Sequence, residues 1–139
     1  MAQNVIKMSQ DSLTRYFKSA GLRVDSPHPS HNQVLEKGIS MHVHLGNGYI
    51  LSIQAGPYNY CSPRSSAKKY ESAEIAILNE DGLVEYDDPA FGDDAIAGWQ
   101  SLEDIIGLAK RCMRNFSKER KDRIERLNAP WRIEDEDGN

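Results

Sequence analysis

The chain lacks most of the features that place a protein quickly. No apolar run approaches the roughly 20 residues that a membrane-spanning helix needs. The opening MAQNVIKMSQ has no apolar stretch of the secretory-signal kind. Only two cysteines occur, Cys61 and Cys112, far apart and in no CxxC or CxxH spacing. That argues against a disulfide scaffold or a zinc ribbon and for reduced thiols. There is no GxGxxG, no Walker loop, and no DxDxDG loop followed by a distant glutamate. These absences predict a cytoplasmic protein with no cofactor and no membrane contact. The 139 residues suit a single domain spanning 1–139, with 1–8 and 134–139 expected to be flexible.

One sign of charge is also missing from the middle. Residues 71–109 hold eleven acidic side chains and no Lys or Arg. Residues 110–132 then hold nine basic residues against three acids, and Glu134 to Asp137 are all acidic. Such blocks either neutralise one another within the fold or draw in a partner of opposite sign.

The patterns that are present predict an α+β fold. Ser9 or Ser12 can cap a helix running to about Ala20, with Leu13, Phe17 and Ala20 on one face and Tyr16 beside them. Gly21 and Leu22 suit a Schellman-type stop. Asp25 to Asn32 (DSPHPSHN) is loop chemistry, because its two prolines resist regular pairing. From Ile39 the period becomes two, and Gly46-Asn47-Gly48 supplies the turn of a hairpin returning through Tyr49 to Gln54. A long loop follows to about Lys69. Ser72–Asn79 and Leu83–Tyr86, joined at Glu80-Asp81-Gly82, make a second hairpin, and Asp87 to Gly98 reads as an acidic connection. Ser101 caps an amphipathic helix with Leu102, Ile105, Ile106, Ala109, Cys112, Met113 and Phe116 on its stripe. Residues 117–127 (SKERKDRIERL) favour a charged C-terminal helix. The expectation is an antiparallel sheet of about four strands, as two hairpins, packed against the amphipathic helix and the N-terminal one.

Several residue groups have the right chemistry for a site. His42 and His44 share a strand face, with His28 and His31 in the preceding loop, but nothing in the chain brings a further ligand to the pair. A polar strand face explains them better than zinc does. Cys61 is followed closely by Arg64, which lowers thiol pKa values, yet no signature of a Cys-His enzyme surrounds it. In the segment 110–132, Glu119, Asp122 and Glu125 are spaced to pair with the basic residues along a helix, which weakens a nucleic-acid reading. Nothing here excludes an enzyme, but the residues lean away from one.

The stretch Asn47-Gly-Tyr-Ile-Leu-Ser-Ile-Gln-Ala-Gly-Pro-Tyr-Asn-Tyr-Cys61 resembles small proteins of tailed phages and prophages, in which an NGYx(L/V)S(V/I)Q hairpin precedes GPxNYC. Ala73-Glu-Ile-Ala76 and the Gly98-Trp99 step before a helix fit the same pattern, more loosely. Ala55 before the Gly-Pro and Tyr58 after it depart from it in detail. The resemblance carries no active site. It implies a phage-encoded protein that engages a host protein, as inhibitors of host defence complexes do, anti-CRISPR proteins among them. The expected function is therefore protein–protein binding through an acidic surface formed by Asp87, Asp88, Asp93 and Asp94, with Tyr58 and Tyr60 as aromatic anchors and a host partner of basic surface. A ligand-binding protein or small enzyme handling a nucleotide is one alternative, which His42, His44 and Arg64 around one cavity would favour. A nucleic-acid accessory protein using the basic C-terminal segment is the other.

Overall fold

The computed structural model describes residues 6–26, 38–46, 48–65, 67–84, 86 and 88–113. Among them the chain is α+β, with elements α1 (Gln10–Ser19), β1 (Arg23–Asp25), β2 (Ile39–Gly46), β3 (Tyr49–Ala55), β4 (Ala73–Asn79), β5 (Gly82–Val84), β6 (Ile96–Gln100) and α2 (Leu102–Met113). Asn47, Asp87, His28, His31, Phe116, most of the DSPHPSHN loop, the charged segment 117–127 and both chain ends lie outside the described residues.

Local chemistry sets both helices. Ser9 and Ser12 each accept the other's backbone N–H through their hydroxyls, a reciprocal cap at the start of α1. The helix ends as expected: Leu22 N–H donates to the Phe17 carbonyl at 3.1 Å and Gly21 N–H to that of Lys18 at 2.9 Å, with Gly21 at φ 88°. At α2, Ser101 Oγ accepts the Asp104 N–H while the Asp104 carboxylate accepts the Ser101 N–H. The stripe of α2 is rotated slightly from the expected one. Leu108 is fully buried and Ile106 only partly, because the helix meets the sheet along Leu102, Ile105, Leu108, Ala109 and Cys112.

The strands form one antiparallel sheet in the order β1-β2-β3-β4, and both β5 and β6 pair with the far edge of β4. Cross-strand register aligns the apolar residues in rows on one face. One row runs Val24, Val43, Leu51, Ile77, Val84; the next runs Met41, Ile53, Ile75, Ala97. Leu13 and Phe17 of α1 and Ile105 and Leu108 of α2 join these rows in one buried cluster. Each fully buried side chain of this size contributes roughly 1.5–3 kcal/mol. The other face carries Ser40, His42, His44, Ser52, Gln54 and Glu74.

Six strands replace the four expected. β1 is a three-residue strand whose existence depends on pairing with β2, so its own sequence carries no usable alternation. β6 lies where the sequence reads as an acidic connection.

The stretch between β3 and β4 reads as a loop, yet it is tied to the body. Tyr70 is wholly buried, and its backbone pairs with Met8 in both directions at 2.7 and 2.8 Å. Its hydroxyl donates to the Ser65 carbonyl (2.6 Å) and accepts the Ala67 N–H (2.9 Å). Tyr70→Phe keeps the ring and strands both partners, so urea unfolding is expected to show about 1–2 kcal/mol lost at unchanged m-value. An unchanged midpoint would mean that water replaces the hydroxyl.

Candidate functional site

Period-two alternation along β6 would point Trp99 inward, as it does Ala97. The sheet prevents this. Ala73 pairs with Gln100 and Ile75 with Ala97, so Gly98 and Trp99 together face the single residue Glu74. This β-bulge puts Trp99 at φ 52°, the left-handed region that a bulky side chain seldom enters. The indole turns outward and stands 57% exposed. The bulge also breaks the strand pattern, which is why the sequence reading missed β6.

A second segment is fastened against the bulge. Tyr60 N–H donates to Glu74 Oε1 and Trp99 N–H donates to the Tyr60 carbonyl, each at 2.9 Å. Gly98 permits this approach: a Cβ there would lie 2.6 Å from Tyr60 Cβ, closer than two carbons can come. The Tyr60 and Trp99 rings consequently meet, with centroids 5.2 Å apart and planes inclined by 34°. Arg64 places its guanidinium carbon 5.1 Å from the Tyr60 centroid. Beside the rings opens a groove of about 460 Å³, lined by Tyr60, Asp94, Ala95, Ile96, Gly98 and Trp99.

The candidate anchors of the sequence reading divide here. Tyr60 forms one wall of the groove, while Tyr58 is 67% exposed on the same loop without lining it. Asp94 lines the groove and Asp93 lies next to it, both exposed and without an ion pair among the described residues. Asp88 is different. Its side chain is 5% exposed and takes Arg111 in a two-pronged pair, Nε to Oδ2 at 2.7 Å and an Nη to Oδ1 at 2.9 Å. It also accepts the Ala90 N–H at 3.0 Å. Its carboxylate is spent inside the fold, closing the turn after β5 onto α2. Asp87 lies outside the described residues. Trp99 and Ile96, neither of them among the expected anchors, complete the surface. The composition of the Gly98-Trp99 step was visible in sequence, but its outward direction was not.

Cys61 is buried beside the groove-forming loop, its thiol within 3.3 Å of the Gly56 backbone. Burial pushes the thiol up, outweighing the lowering by Arg64. Cys112 is likewise pushed up by burial. Neither is poised as a nucleophile.

The histidines occupy a separate place. His42 and His44 are partly buried on β2, and β1 brings Asp25 to them: Asp25 Oδ2 lies 2.7 Å from His44 Nε2 and 2.9 Å from an Arg23 Nη. β3 and β4 separate this group from β6, roughly 14 Å at sheet spacing, and neither His42 nor His44 lines the groove beside Tyr60 and Trp99. Among the described residues, no three His, Cys, Asp or Glu side chains gather closely enough to hold a metal ion. Also among them, no helix is long and apolar enough to cross a membrane.

The same group sets a pH dependence. Burial, then the neighbouring His44, lowers the His42 pKa below its ordinary 6.5, so the folded state binds this proton less well than the unfolded chain. Its contribution to stability is complete above 6.5 and declines as the pH falls from there through the folded value. The hydrogen bond from His44, helped by Arg23, holds the Asp25 carboxyl below 3.8, which adds a further loss below that pH. His42→Gln is expected to flatten the decline of the denaturation midpoint between about pH 7 and 5. An unaltered slope in the variant would assign the decline to other groups.

The chain was compared with protein-family models, with curated proteins and with solved structures, and none of them matches.

Proposed function

We propose that this is a small protein-binding protein. Its docking surface is the Tyr60–Trp99 pair and the adjoining groove, and Asp93 and Asp94 draw in a partner of basic surface. The observation that carries this reading is the placement of Trp99. A tryptophan in the left-handed region costs about 1–2 kcal/mol relative to a glycine, and the fold bears that cost while exposing most of the indole to water. Strain retained at a solvent-facing aromatic is what a presented contact residue requires, and Trp, Tyr and Arg are the residues that dominate protein–protein affinity. The exposed carboxylates beside it would raise the association rate with a cationic surface and make that rate sensitive to salt.

The resemblance of residues 47–61 to small phage proteins directs the proposal further, to a host protein as partner. Occupancy of a host defence complex, as an inhibitor in the host cytoplasm, is the mode that company suggests. The test is comparative capture. Wild-type and Trp99→Gly proteins are immobilised in parallel and exposed to host-cell extract at low salt. A protein retained by the first and absent from the second supports docking through this surface. Equal retention, or none by either, overturns it.

A further inference from the structure

Building on that docking surface, we infer that its groove receives an arginine side chain, carried on a basic segment of the partner protein, with the guanidinium stacked on Trp99 and paired to Asp94. The first support is internal. Tyr60 of this aromatic pair already holds a guanidinium, since Arg64 lies over its ring at 5.1 Å, yet Arg64 is not among the residues that line the groove. Indole binds a cation over its face better than phenol does, and Trp99 is the more exposed of the two rings. The second support is charge. Among the described residues, Asp94 is the one ionisable carboxylate lining the groove, Asp93 follows in negative sign beside it, and no Lys, Arg or His lines it. The third is shape. Ala95, Ile96 and Trp99 give apolar walls for the methylene stem, and about 460 Å³ accommodates a long side chain with part of its backbone.

These features select among cations. A guanidinium is flat, stacks on an indole and can meet a carboxylate with two parallel hydrogen bonds, whereas an ammonium is a compact, strongly hydrated point charge. They also disfavour nucleic acid at this surface, because a phosphate chain would meet Asp93 and Asp94 instead of cations.

The test follows the full chain by amide and indole NMR during titration with blocked tripeptides Gly-Arg-Gly, Gly-Lys-Gly and Gly-citrulline-Gly, and with a short oligothymidylate. The arginine peptide is expected to shift the Trp99 indole N–H and the amides of residues 94–99, saturating in the millimolar range. The lysine peptide should bind severalfold more weakly and the uncharged citrulline peptide roughly tenfold more weakly, and Asp94→Asn should remove most of the difference between arginine and citrulline. Equal response to arginine and citrulline, or response to the oligonucleotide in place of the arginine peptide, overturns the assignment. If Trp99→Gly loses a captured partner while wild-type protein ignores the arginine peptide, the docking surface stands and the guanidinium assignment falls.

Discussion

Trp99→Gly is expected to abolish partner capture while lowering the thermal midpoint by only about 3–5 °C. Removing the indole forfeits its contact with Tyr60, an aromatic pair worth about 0.5–1.5 kcal/mol beyond its area, together with the buried part of its surface. Glycine also frees the unfolded chain, at a cost of about 0.4–1 kcal/mol. Against these losses, it releases the strain of holding a bulky residue at φ 52°, about 1–2 kcal/mol. The buried share of the indole adds about 1 kcal/mol to the losses, so the sum is a modest net loss of about 1–1.5 kcal/mol. Binding has no such offset: loss of a central tryptophan typically removes 2 kcal/mol or more, roughly a 30-fold weakening. Trp99→Ala separates the two effects, because alanine loses the ring and keeps the strain. It should bind as poorly as the glycine variant and melt lower. If alanine melts at or above glycine, the backbone at position 99 is not strained and the central support of the functional reading is gone.

Arg111→Ala should produce the larger loss of stability. Asp88 is nearly sealed from solvent and Arg111 is 38% exposed, so truncating the arginine leaves a carboxylate that water can reach only in part. Breaking a fully buried pair costs 3–5 kcal/mol; with one partner at the surface, about 2 kcal/mol is the appropriate scale. In a chain of this length that lowers the thermal midpoint by roughly 7 °C. Asp88→Asn in the Arg111→Ala background removes the stranded charge while retaining an oxygen for the Ala90 N–H, and is expected to recover part of the loss. A double variant no more stable than Arg111→Ala would show that the charge was not the source of the cost. Asp88→Asn alone should leave capture of a partner intact, which distinguishes this internal carboxylate from Asp93 and Asp94.

The two carboxylates Asp88 and Asp94 illustrate how far the chain could be read. Both belong to the run of acids between residues 71 and 109 that lacks any cation, and composition treats them alike. The partner that neutralises Asp88 is Arg111, from the basic block beyond that run, and only the packing of α2 against the turn after β5 brings the two together. His44 gives the same lesson. No carboxylate lies near it in sequence, and Asp25 reaches it through a strand too short to be recognised without its partner.

What the chain determined by itself is its locally encoded structure: the capped start and Schellman stop of α1, the hairpin of β2 and β3, and the start of α2 at Ser101. Each depends on residues within a few positions of one another, so the energetics are contained in a short window. The Tyr60–Trp99 surface was decided by tertiary structure. Tyr60 and Trp99 meet because Glu74 of β4 faces two residues of β6 and accepts the Tyr60 N–H. A bulge reverses the side-chain alternation on which any reading of a strand relies, and its cause lies on a different strand.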